Sequence, residues 1–313
     1  MRPLKIQLHT PFSHTRRGNG ITADRWADIF GQLGHTLVDH GADVLVALHA
    51  KHSHPEILKF KAEFPGRPVV LALTGTDIYR DVQVDEEAQL SVRLADRFIV
   101  LQPHALTQLA PEYRERAHVI YQSAVAPVDA PPRPSDHFRA CVIGHLREVK
   151  DPFRTAEALR LLPPDSRVRV VHLGSALDPE MRSRAEQEVR ANPRYEWRGE
   201  VTREETLHVL ASSHLMVLTS VMEGGANVLT EAIACGTPAI LSRMGASIGI
   251  MGADYPGLFE VGDTQALARL LQRAESDRDF YNELQQRCEA KRPLIDPARE
   301  QQSWRMLLEG LAA

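Results

Sequence analysis

The chain has 313 residues, enough for two domains of ordinary size, and its 43% hydrophobic and 25% charged residues are those of a soluble globular protein. A net charge of −4 argues against a dedicated nucleic-acid binder, which would normally be basic. No apolar run approaches the roughly 18–20 residues of a membrane span, which argues against stable membrane association.

Met1 to His9 begins a strand at once, at Lys5 to Leu8. No signal peptide is visible there, and a cytoplasmic protein is expected. His9 to Gly20 reads as a polar loop containing Arg16, Arg17, Gly18, Asn19 and Gly20. Thr22 suits the cap of the next helix, and Trp26, Ile29, Phe30, Leu33, Leu37 and Val38 give that helix one apolar face ending at Gly41. Strands follow at Asp43 to Leu48 and Val69 to Leu73, with a helix between them at His54 to Glu63. The loop Thr74 to Asp77 leads to a helix near Asp85 to Ala95. A strand at Phe98 to Leu101, a short helix near His104 and a strand at His118 to Tyr121 complete the half. This alternation predicts a parallel sheet with helices on both faces.

Ala124 to Asp136 holds Pro127, Pro131, Pro132 and Pro134, the composition of an inter-domain linker. The alternation then restarts. A strand at Ala140 to Ile143 precedes the polar loop Gly144 to Asp151, and Asp151-Pro152 reads as a helix start with proline at the first helical position. Val168 to Leu173 and Tyr195 to Trp197 are strands, with helices from Pro179 and at Glu204 to Ala211. Ser242 to Gly262 reads as loop-rich because of Gly245, Gly249, Gly252 and Gly257. Helices follow near Thr264 to Glu275 and Arg278 to Ala290, and Asp296-Pro297 starts a last one with Trp304, Leu307, Leu308 and Leu311 on one face. Cys141, Cys235 and Cys288 lie far apart, match no metal spacing and are odd in number, so buried reduced thiols are expected.

The stretch from Leu215 to Leu241 carries the chemistry. Leu215 to Leu218 is an apolar run suited to a strand buried on both faces. Gly224-Gly225 permits a sharp turn, and a helix opens near Asn227 and stops at Gly236, with Pro238 beyond. A helix start with unpaired N–H groups suits a phosphate. Glu223 and Glu231 bracket that start. Carboxylates beside an anion site make chemical sense when the ligand also carries hydroxyls, as a nucleotide-sugar does. The bland alternative is a pair of solvated carboxylates favouring the helix dipole.

Glu223-Gly-Gly-Ala-Asn-Val-Leu-Thr-Glu231, closing with Gly236-Thr-Pro238, resembles the E-x7-E signature of retaining GT-B glycosyltransferases of the GT4 type. Gly144-His-Leu-Arg147-Glu-Val-Lys150 resembles that family's G-R-L-x-x-x-K donor-phosphate motif, with His145 at the usual arginine position and Arg147 two residues later. The loop ending Gly18-Asn-Gly20 resembles the family's N-terminal glycine loop. A narrower likeness joins Thr74-Gly-Thr-Asp-Ile-Tyr-Arg80, Gly144 to Pro152 and Met222 to Asn227, which together resemble the selenosugar synthases of bacterial selenoneine biosynthesis.

The resemblance implies an α/β GT-B fold, two Rossmann-like doubly wound domains facing a central cleft. The expected layout is an acceptor domain over 1–125, a linker over 126–137, a nucleotide-sugar domain over 138–295, and a helix over 296–313 packing back on the first domain. It implies a UDP-sugar donor (UDP-GlcNAc or UDP-Glc), no obligatory metal or other cofactor, and selenophosphate as acceptor. Lys150 and Arg147 would neutralise the departing UDP. Glu223 with Gly224 and Gly225 would hold sugar hydroxyls, Glu231 the ribose, and the N–H groups of Ala226, Asn227 and Val228 the diphosphate. Gly174, Arg198 and Val201 would lie against the base. Arg16, Arg17, Asn19, Gly20, Asp77, Arg80 and His145 are the acceptor or loop candidates. A GT4-type enzyme with an oxygen acceptor and a non-catalytic nucleotide-sugar binder are the two alternatives.

Overall fold

A computed structural model describes residues 2–11 and 18–312, Ala312 in backbone only. Arg16 and Arg17 lie outside the described residues. The rest forms two compact units. The first combines the stretch up to Gln122, Glu223–Gly225 and the chain from Pro297 on; the second combines Ser123–Met222 and Ala226–Asp296.

The first unit is built on six parallel strands: β1 Lys5–His9, β2 Thr36–Leu37, β3 Val44–Leu48, β4 Val69–Leu73, β5 Arg97–Val100 and β6 Ala117–Val119. Their spatial order is β2-β1-β3-β4-β5-β6. The runs VLVAL in β3 and VVLAL in β4 are buried at every position, which requires cover on both faces. One face holds Leu45, Ala47, Leu71 and Phe98 against α2 (His54–Glu63) and α4 (Glu86–Leu94), through Ile57, Phe60 and Val92. The other holds Val46, Leu48, Val70 and Ile99 against α1 (Gly18–Gln32) and the C-terminal helix Pro297–Ala312. Short helices α3 (Val82–Val84) and α5 (Pro111–Arg114) complete the unit.

The C-terminal helix is an integral part of this core. Trp304 is fully buried and meets Trp26 and Phe30 edge-on, at 4.8 and 4.7 Å between ring centroids. Edge-on packing places the positive rim of one ring on the negative face of another. Buried Glu300 accepts from Trp26 Nε1 at 2.8 Å and pairs with Arg25 Nε at 3.0 Å.

Three local expectations are corrected here. Asn19 and Gly20 are not loop residues: they lie in the first turn of α1, and the Thr22 hydroxyl donates to Gly18 O at 3.0 Å instead of capping. That helix stops early, with Gly34 at φ +82. Leu37 therefore joins β2, paired with Ile6, although its spacing suits a helix. Between β4 and α3 the chain makes a π-helical turn, Asp77–Asp81.

The second unit holds β7 Phe138–Ile143, β8 Val168–Leu173, β9 Tyr195–Gly199, β10 Leu215–Leu218, β11 Ala239–Ser242 and β12 Leu258–Phe259. These are again six parallel strands, in the order β12-β11-β10-β7-β8-β9. The helices are α6 Arg154–Leu159, α7 Pro179–Ala191, α8 Arg203–Ala211, α9 Asn227–Cys235, α10 Gly245–Met251, α11 Thr264–Ser276 and α12 Arg278–Glu289. Asp178 caps α7 by accepting from Met181 N, Thr202 caps α8 from Glu205 N, and Gly236 at φ +65 ends α9.

One further expectation changes. Pro152 does not open a helix: Asp151 is left-handed at φ +44 and α6 begins at Arg154. The glycine-rich stretch after Ser242 is loop-rich as expected, with α10 and β12 set within it. Within the proline-rich stretch, Arg133 donates to Gly236 O at 3.0 Å and to the Tyr281 hydroxyl at 3.1 Å, which ties it to α9 and α12.

Candidate functional site

Strands β7, β8 and β9 step one way across the second sheet, and the chain then returns to place β10 on the other side of β7. Loops leaving β7 and β10 at their carboxyl ends therefore diverge, and such a switch point is where open parallel sheets leave a ligand crevice. The β7 loop is Gly144–Lys150, ending in a single 3-10 turn at Glu148–Lys150. The β10 loop grips it. Val221 N donates to Val149 O at 2.9 Å, and the Thr219 hydroxyl reaches Lys150 O and Asp151 O, both at 2.9 Å. The Lys150 stem folds back over Gly144, where an added Cβ would stand 3.9 Å from Lys150 Cδ. Lys150 and Arg147 thus belong to a loop whose backbone is fixed at the switch point.

The β10 loop leads into α9. Ala226 precedes the helix in the left-handed region, φ +47, and has no side chain to cap it. Asn227 and Val228 form the first turn, where the helix carries its positive end. Glu231 lies one turn further and is nearly buried, 6% exposed. Its Oε1 accepts from Arg203 Nη1 at 2.7 Å, across 28 positions of sequence. Cys235, in the same helix, has its thiol pushed up to about 11 by burial and then by the Glu231 charge. Arg203 is a residue the sequence reading missed. The available signal was a cation at a helix start, where the dipole disfavours it.

The end of β8 anchors the lysine loop from the other side. Gly174 adopts φ +147, and a Cβ there would lie 2.0 Å from Gly144 O and 2.8 Å from His145 N. Leu146 N donates to Ser175 O at 2.9 Å, and the His145 ring meets the Ser175 hydroxyl at 2.8 Å. His172 is buried beneath, with Nε2 3.0 Å from Gly144 O and Nδ1 2.8 Å from the Tyr195 hydroxyl. A carbonyl can only accept, so Nε2 carries the proton and Nδ1 accepts from Tyr195. Burial holds His172 down to about 4, so the ring is neutral near pH 7. Gly174 was expected to let a ligand approach; the close approach it permits in the described structure is that of the Gly144 backbone.

At the end of β9, Gly199 O accepts from Gly174 N at 2.7 Å, and the chain then turns through Val201 to Arg203. A bulge at His172/Leu173 shifts the register so that Leu173 faces Gly199 and Arg198 has no partner in β8. The Arg198 side chain pairs with Glu196 at 2.7 Å, and that carboxylate keeps its guanidinium above the usual range.

The remaining candidates lie in the first unit, at the carboxyl ends of β3 and β4. Asp77 is fully buried and ties those ends together, its carboxylate accepting from Ala50 N at 3.0 Å and Gly75 N at 2.8 Å. Arg80 is exposed and bonds Asp81 at 2.9 Å. Glu223, Gly224 and Gly225 group with this unit. Gly224 O accepts from Gln102 Nε2 at 3.3 Å, and a Cβ on Gly224 would meet Thr74 O at 2.2 Å. One on Gly225 would meet Leu101 Cβ and the Gln122 side chain at 2.6 Å. Gly224 is required by the close approach of backbone, and Gly225 by that of the Leu101 and Gln122 side chains, whatever else they hold. His49 is left-handed at φ +77, and its ring lies 4.3 Å from that of His52, tilted by 32°.

The profile of the family described as Glycosyl transferases group 1 matches residues 129–291, just over half of the chain. The chain belongs to this family. It is a glycosyltransferase, and its two parallel-sheet units are those of the GT-B fold. Among solved structures it is similar to Anabaena Alr3699/HepE in complex with UDP and glucose, at 17% identity over 98% of this chain and 100% of that one, TM-score 0.81. It is also similar to the sucrose-phosphate synthase tll1590 of Thermosynechococcus elongatus, at 20% identity over 93% and 78% of the two chains, TM-score 0.67. A third is the α,α-trehalose 6-phosphate synthase of Burkholderia multivorans, at 18% identity over 86% and 72%, TM-score 0.66. At such identities the likeness is one of fold. No curated protein matches the sequence. Among the described residues no helix is long and apolar enough to cross a membrane, and no group of three or more His, Cys, Asp or Glu is placed to hold a metal.

Proposed function

We propose that this glycosyltransferase takes the sugar of a UDP-sugar, UDP-glucose or UDP-N-acetylglucosamine, and joins it to the selenium of selenophosphate. The observation that carries the donor half is the fixing of the Lys150 loop at the switch point to the β10 loop, which itself runs on into the positive end of α9. A helix start is a ready site for a phosphate, and a cation on an adjoining loop suits the further charge of a diphosphate. The neighbouring fold of Anabaena HepE, solved with UDP and glucose, supports the same reading.

In this account Glu231 takes the ribose, Glu223 the transferred sugar, and Arg198 and Val201 flank the base. As the bond from the anomeric carbon to UDP breaks, negative charge builds on the leaving diphosphate. Lys150 and Arg147 stabilise that charge, and a fixed cation in a prearranged loop does so without reorganising. The acceptor assignment is supported by the likeness of Thr74 to Arg80, Gly144 to Pro152 and Met222 to Asn227 to selenosugar synthases. Selenophosphate is already anionic, so its selenium attacks the anomeric carbon without a general base. The carbon–selenium bond forms as UDP departs, and water then cleaves phosphorus from selenium to release phosphate and the selenosugar. Arg80 is the described cation proposed to orient the acceptor.

The test is incubation with either UDP-sugar and selenophosphate, followed by mass spectrometry. A selenium-containing sugar with stoichiometric UDP and phosphate is expected. Transfer to a hydroxyl acceptor with no selenium product would overturn the acceptor and leave the donor standing.

A further inference from the structure

We infer that Arg203 is a specificity-determining residue of the donor site: by holding one oxygen of Glu231 it aims the carboxylate at the hydroxyls of the nucleotide's ribose. This rests on the donor reading above. Arg203 is the first residue of α8, where the helix dipole disfavours a cation and favours the types of its neighbours Glu204 and Glu205. It is held there by its 2.7 Å contact with Glu231 on α9, the helix on which α8 packs. The two partners differ in exposure: the Glu231 side chain is 8% accessible and that of Arg203 50%. A nearly buried carboxylate needs a compensating charge, and Arg203 supplies it from the rim.

The geometry leaves the carboxylate with a reading function. One guanidinium N–H on Oε1 occupies a single acceptor position of the roughly four that a carboxylate offers. Two adjacent hydroxyls, as in a ribose diol, donate in a pattern that a carboxylate held at one corner can accept. Arg203 also ties this carboxylate to the loop proposed to face the base. Gly199 O is fixed by Gly174 N at 2.7 Å, Thr202 Oγ1 accepts from Glu205 N at 3.1 Å, and Arg203 follows directly. The base-facing turn and the ribose carboxylate therefore form one connected element, and loss of the arginine releases both.

The experiment is calorimetric titration of the full chain with UDP and with 2′,3′-dideoxy-UDP. The wild type prefers UDP, and Glu231→Ala abolishes that preference. Arg203→Ala lowers it about fivefold, the worth of aiming a charged hydrogen bond and not of removing it. Arg203→Lys recovers part of it, and Arg203→Ala adds nothing to the preference in the Glu231→Ala background. Should Glu231→Ala fail to fold, the two Arg203 variants carry the test alone. Equal weakening of both nucleotides, or an unchanged preference, overturns the role of Arg203 and spares the donor site. No UDP binding by the wild type overturns the donor reading, and this inference with it.

Discussion

Gly174→Ala isolates the physical demand that the lysine loop makes on its support. The new methyl would stand 2.0 Å from Gly144 O and 2.4 Å from Gly144 C, all backbone, with no flexible side chain to yield. The φ of +147 is itself a conformation that L side chains rarely adopt. Backbone strain of this kind costs about 1–3 kcal/mol, and forced overpacking a similar amount. Partial relaxation moves the Gly144–Lys150 loop and leaves a net loss of about 3 kcal/mol, roughly 6–12 °C in melting temperature for a unit of this size. Since the displaced loop carries Lys150, UDP affinity falls with stability. Gly31→Ala is the internal control: a Cβ there meets nothing within 4 Å inside α1, so it should stabilise by about 0.5–1 kcal/mol and leave UDP affinity alone. The assays are thermal unfolding and UDP titration on all three proteins. A Gly174→Ala protein with wild-type stability and affinity would refute the reasoning.

His172 gives a pH signature. Its folded pKa is depressed to about 4, against 6.5 for an ordinary histidine, because burial disfavours the charged ring. The unfolded chain takes up the proton first as pH falls, so the stability tied to neutral His172 is whole above about pH 6.5 and drains away toward pH 4, on the order of 3 kcal/mol. Urea unfolding should show a smaller wild-type advantage over His172→Gln at pH 4.5 than at pH 7, and parallel profiles would contradict it. Trp304→Ala removes a fully buried ring packed on Trp26 and Phe30, and should cost about 3–5 kcal/mol in chemical denaturation. A loss under 1 kcal/mol would mean that the C-terminal helix contributes little to the first unit. Glu223→Ala should abolish sugar transfer while UDP still binds by calorimetry; loss of both would reassign Glu223 to the nucleotide.

The elements most legible in the sequence were those whose cause is local. Val69 to Leu73 and Leu215 to Leu218 are apolar at every position and form strands buried on both faces. Asp178-Pro179 starts α7 and Gly236 stops α9, because caps and left-handed glycines act within a turn. Failures came where distant packing overrode local preference. Gly245 and Gly249 lower helix propensity, yet α10 forms, buries Ala246, Ile250 and Met251, and ends at Gly252. Leu37 follows helical spacing, but the turn at Gly34 delivers it to the edge of β1. Within the candidate site, the type and spacing of Lys150 and Glu231 stood out in the sequence. The Arg203–Glu231 pair and the collision of Gly174 with Gly144 did not, since both depend on groups about 30 positions apart brought together by the fold.

The most direct test of the account is the rate of UDP release from UDP-glucose and UDP-N-acetylglucosamine in the presence of selenophosphate, measured for the wild type and Lys150→Ala. If Lys150 stabilises charge on the departing diphosphate, the variant loses about 100- to 1000-fold in kcat with a much smaller change in KM for the donor. Wild-type turnover by Lys150→Ala would contradict the account.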